Sequence, residues 1–98
     1  MKIILIIAVE EYEKEIKNIL KHSKIKAFTM QEVKGYQNHN NLQSWFISDE
    51  ISTDSVQFTI ISDKECADEI FSEVENFNLK QDIQTKIHLV CWDIEKSI

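Results

Sequence analysis

Lys26-Ala27-Phe28-Thr29-Met30-Gln31-Glu32-Val33-Lys34-Gly35-Tyr36 is the stretch from which the fold is read. It has the composition of a strand and runs into the only glycine of the chain. Before it lies Ile3-Ile4-Leu5-Ile6-Ile7-Ala8-Val9, a continuous apolar run. Such a run predicts a central strand covered on both faces. Glu10 to His22 predicts a helix, because Tyr12, Ile16, Ile19 and Leu20 share one face. Acidic residues crowd its first turn and Lys17, Lys21 and His22 its last, which suits the helix dipole. Glu10–Lys14 and Glu13–Lys17 are favourably oriented i,i+4 pairs, worth about 0.2–0.5 kcal/mol each.

Beyond Gly35 the character changes. Gln37-Asn38-His39-Asn40-Asn41 is polar and aperiodic, the pattern of an exposed loop. The same connection holds Leu42-Gln43-Ser44-Trp45-Phe46-Ile47, followed by the turn signal Ser48-Asp49-Glu50. Apolar bulk there has two readings. The strands extend as a hairpin that packs internally or on a sister subunit, or the loop docks on a partner.

Ser55 to Ile61 predicts a strand, with Val56, Phe58 and Ile60 on one face. Ser62-Asp63-Lys64-Glu65 matches a capping box. The helix after it carries Cys66, Ala67, Ile70, Phe71, Val74 and Phe77 at three- and four-residue spacing. Asn76 to Gln84 reads as a loop, and Lys86 to Ile94 as the last strand. The order is βαββαβ in a single domain spanning residues 1–98. This is an α+β ferredoxin-like sandwich with an antiparallel sheet and both helices on one side. The other side is left open and apolar, and oligomerisation is the simplest cover. A domain this small buries only about 60–65% of its unfolded surface, so association adds to a thin core.

The bulk numbers exclude some functions. The net charge is −6, and all eleven basic residues are lysines. An acidic chain without clustered Lys or Arg is a poor nucleic-acid binder. Without arginine there are no bidentate guanidinium clamps. Cys66 and Cys91 have no CxxC spacing, so reduced, buried thiols are expected rather than a disulfide scaffold. The apolar run after Met1 is too short for a signal peptide or membrane span, so a cytoplasmic protein is expected. No nucleophile motif is present, and an enzyme is not expected.

Thr29-Met30-Gln31-Glu32-Val33-Lys34-Gly35-Tyr36 resembles the T-V-x-E-V-K-G-[FY] strand of the nitrogen-regulatory PII signalling proteins, which leads into their T-loop. Lys86-Ile87-His88-Leu89-Val90 resembles their final K-I-F-V strand. Ser44-Trp45-Phe46, Asp49-Glu50-Ile51, Asp54-Ser55-Val56 and Ile60-Ile61 resemble the hairpin of the related CutA proteins. The resemblance implies a trimeric PII-like assembly that binds a small ligand, such as an adenine nucleotide, between subunits. It implies regulation of a partner such as a membrane transporter through residues 37–54, as a short T-loop or hairpin extension.

Lys34, Gly35 and Lys86 are the ligand-binding residues that carry over, and Tyr36, Trp45 and Phe46 become the partner-loop candidates. The segment before Lys86, Asn78 to Thr85, contains no glycine, unlike the family's phosphate loop. The CutA likeness implies the alternative: a metal-responsive or heavy-metal-tolerance accessory protein, alongside an efflux pump. A threefold axis would then bring together three copies of His39 or of Cys91 around a divalent or copper ion.

Overall fold

The computed structural model describes residues 1–36, 52–81 and 86–98. The strands are β1 (Lys2–Val9), β2 (Thr29–Gly35), β3 (Thr53–Ser62) and β4 (His88–Asp93). A 3-10 turn, Glu10–Tyr12, leads from β1 into α1 (Glu13–His22), and α2 (Lys64–Leu79) follows β3. The sheet order is β2-β3-β1-β4, and every neighbouring pair is antiparallel. This is the ferredoxin-like arrangement that the element order predicts. No helix among the described residues is long and apolar enough to cross a membrane.

Register decides which residues share a face. Ile4 pairs with Ile60 and Cys91, and Ile6 with Phe58 and Leu89. This row lies under the helices, where Ile4, Ile6, Phe58, Ile16 and Ile70 are fully buried. One residue along each strand lies the other face. Ile3 pairs with Ile61 and Trp92, and Leu5 with Thr59 and Val90. Ile61 is 55% exposed, Val90 52% and Trp92 47%. The β1 run is therefore central, as its composition implies, but the described residues cover only one of its faces.

The element boundaries depart from the sequence reading in several places; β2 starts only at Thr29, and the last strand spans His88–Asp93 rather than Lys86–Ile94. Glu10 belongs to the 3-10 turn, so of the two helix pairs only Glu13–Lys17 forms among the described residues, at 2.7 Å. The cap of α2 is Asp63 rather than Ser62: its carboxylate accepts the Cys66 N–H at 2.8 Å. That hydrogen bond holds the Asp63 carboxyl below the usual carboxylate range. Asn76 to Leu79, read as loop, continue α2, because Phe77 extends the apolar stripe three residues beyond Val74. β3 starts at Thr53 and so takes in Asp54 from the expected loop. The cysteines also differ from expectation, since Cys66 is half-buried and Cys91 is exposed.

Candidate functional site

One end of the sheet collects the candidates. It is formed by the C-terminal ends of β1 and β2 and the N-terminal ends of β3 and β4. At this end β2 carries Lys34 opposite Asp54 and Gly35 opposite Thr53. Glu10, Glu32, Val33, Lys34, Asp54 and Ser55 line a cavity of about 450 Å³. Among the described residues Lys34 is the one cationic group on that wall, against three carboxylates. A ligand with several phosphates would meet repulsion there, whereas one of lower charge would be held by the single ammonium.

Gly35 sits where space is short. A Cβ at this position would meet Ser55 Oγ at 3.1 Å. Ser55 is itself buried, and its hydroxyl donates to the Thr53 carbonyl at 3.2 Å. The sole glycine thus lets β2 lie close to β3 at the mouth of the long connection, with an ordinary negative φ.

Lys86 lies at the same end of the sheet but on the far side. The β1–β4 ladder ends at Ile7 and His88, so Lys86 stands two residues beyond it in the chain. β2 and β4 are the two sheet edges. Three inter-strand steps of about 4.8 Å separate them, roughly 14 Å. The fold brings Lys34 and Lys86 to one end without bringing them together in one subunit. Both are exposed.

The approach to Lys86 is held by residues that the sequence reading left in a loop. The Asn78 carboxamide donates from Nδ2 to the Ile87 carbonyl at 2.8 Å. Its Oδ1 accepts the Ile87 N–H, also at 2.8 Å. Tyr12 meets Phe77 edge-on, with ring centroids 4.9 Å apart, and its hydroxyl donates to Gln81 Oε1 at 3.3 Å. The helical spacing from Val74 to Phe77 was the available signal that α2 reaches this far.

His39, Trp45 and Phe46 lie outside the described residues. Tyr36 is 64% exposed, directly beyond β2. Cys91 pairs with Ile4, which puts it on the helix-covered side of the sheet rather than on the open face. A cluster of Cys91 copies formed by closing the open faces together is therefore not supported. Among the described residues no three His, Cys, Asp or Glu side chains converge as a cation site. A second cavity, of about 520 Å³, lies between α1 and α2, where Glu15, Glu69 and Glu73 give it an acidic lining.

Residues 1–93 match the family described as nitrogen regulatory protein P-II. Among solved structures, the chain is similar to CPII, a nitrogen regulatory PII-like protein from Thiomonas intermedia K12 bound to ADP, AMP and bicarbonate. Identity there is 11%, covering 99% of this chain and 94% of that one, with a TM-score of 0.66. It is also similar to a PII-like signaling protein from Thermus thermophilus, at 15% identity over 93% of this chain and 83% of that one, with a TM-score of 0.65. No curated protein matches the chain.

Proposed function

The chain belongs to the nitrogen regulatory protein P-II family, and on that premise we propose that it is a cytoplasmic homotrimer binding an adenine nucleotide between subunits. P-II proteins are regulatory rather than catalytic, and so is this chain. In this reading Lys34 and Gly35 of one subunit and Lys86 of the next face the same ligand. Residues 37–54, with Tyr36, Trp45 and Phe46, carry the signal to a partner such as a membrane transporter.

The observation that carries the reading is the separation of Lys34 and Lys86 on opposite edges at one end of the sheet. With the two backbones roughly 14 Å apart on opposite edges, an assembly in which one subunit's Lys34 edge meets the next subunit's Lys86 edge supplies both ammoniums to one small ligand. The open apolar face supports the same assembly, since exposed Ile61, Val90 and Trp92 need cover. CPII was solved with ADP, AMP and bicarbonate, which makes those the first ligands to try.

The site's charge refines the choice of nucleotide. The chain has no arginine, and three carboxylates surround Lys34. AMP and ADP are therefore preferred over ATP. Titration calorimetry with AMP, ADP, ATP, cyclic AMP and bicarbonate tests this, with light scattering on the same sample. The expected result is a trimer that binds AMP or ADP more tightly than ATP. A folded protein that binds none of the five removes the ligand, and a stable monomer removes the shared cleft.

A further inference from the structure

We propose that Asn78 is the positioning residue for Lys86, fixing where that ammonium meets a ligand; the ligand part rests on the function proposed above. Asn78 occupies the last turn of α2, and both halves of its carboxamide are spent on a single residue, Ile87. That is the pair of hydrogen bonds a neighbouring strand would supply in a ladder. Among the described residues no strand does so, because the β1–β4 pairing stops at His88. The side chain therefore continues the ladder by one residue and fixes the peptide next to Lys86.

The rest of the surroundings keep this clasp stiff. The Ile87 side chain is 3% exposed and belongs to the core cluster, so the residue is pinned by backbone and side chain alike. The end of α2 is held in turn by Tyr12, through its edge-on contact with Phe77 and its hydrogen bond to Gln81. A continuous set of contacts thus runs from the end of β1, through α2, to the residue beside Lys86. The geometry also specifies the amide. Aspartate keeps the acceptor but loses the donor, and alanine loses both.

The test uses the full chain and the variants Asn78→Ala, Asn78→Asp, Lys86→Ala and Lys34→Ala, singly and in pairs. AMP and ADP are titrated by calorimetry. Asn78→Ala is expected to weaken binding about tenfold, the scale of ordering one mobile side chain on binding. Asn78→Asp should fall between Asn78→Ala and the parent. In the Lys86→Ala background the Asn78→Ala loss should vanish, whereas in the Lys34→Ala background it should persist in full. Equal losses in all backgrounds mean that Asn78 serves folding alone, and the proposal is overturned.

Amide order measured by NMR relaxation decides the positioning without any ligand. Asn78→Ala should raise the mobility of Lys86 and Ile87 while Ile6 and Phe58 stay unchanged. Unchanged order at Lys86 overturns the proposal even if the variant binds weakly. If the parent binds neither nucleotide, the function proposed above fails, and the order of Lys86 still decides the role of Asn78.

Discussion

The two faces of the sheet are made from the same kinds of residue and meet different surroundings. Under the helices, Ile4, Ile6 and Phe58 are fully buried. One residue away, Ile61, Val90 and Trp92 stand about half-exposed in a row with Ile3 and Leu5. On the covered face, burial is supplied by the chain itself. On the open face, the same apolar character has no cover among the described residues, and the assembly proposed above would supply it. Composition identifies apolar surface, and topology decides whether one chain can cover it.

The strongest break of this contrast is Phe58→Ala, which should cost about 3–5 kcal/mol in urea unfolding. That cost should be independent of protein concentration. A loss below about 1 kcal/mol would mean that the covered face is not the core. Next comes Leu5→Glu, which sets a carboxylate among Thr59 and Val90 on the open face. Light scattering should show the assembly falling to single subunits, while far-ultraviolet circular dichroism stays unchanged. An intact oligomer with Glu at this position would remove the open face as the interface.

Val90→Ala sharpens the comparison further. Its cost should be smaller than that of Phe58→Ala and, in the assembly proposed above, should grow with protein concentration. A concentration-independent cost would place Val90 within the subunit's own core. Gly35→Ala is weaker still, at about 1 kcal/mol, the lower end of an overpacking clash. Pairing it with Ser55→Ala should remove the cost, since Ser55 Oγ is the atom in the way. A cost that persists in the double variant would point to another neighbour.

The smallest effect concerns pH. Asp63 and Asp93 are both held below the usual carboxylate value of 3.8, the first by the Cys66 N–H and the second by the hydrogen bond from Lys2. A carboxyl with a depressed folded-state pKa stabilises fully above its unfolded value and loses that contribution as pH falls through the folded one. Asp63→Ala should therefore lower the melting temperature by a few degrees at neutral pH and by less at about pH 3. An equal drop at both would show that the charge of the cap contributes nothing.

The fold was legible because local signals agreed. The β-branched run of Ile3 to Val9 marked a central strand, and alternation in Ser55 to Ile61 marked the covered face. The site was legible only in part. Lys34 and Gly35 could be singled out from the strand they end, but Glu10, Glu32 and Asp54 join Lys34 only through register and a 3-10 turn. Asn78 escaped because asparagines among charged residues look like a loop. Here the amide completes the backbone pairing of Ile87 from the last turn of its own helix. Asp63 displaced Ser62 as the cap because its carboxylate reaches the Cys66 N–H, while Ser62 turns its hydroxyl to the Asp63 carbonyl.

The placement of the two lysines on opposite edges has a genetic consequence if neighbouring subunits share each cleft. A chain lacking Lys34 and a chain lacking Lys86 would each bind the ligand weakly alone. Co-expressed, they would form mixed rings in which an intact Lys34 edge can meet an intact Lys86 edge. Two defective alleles could then restore binding in a cell where neither does so by itself.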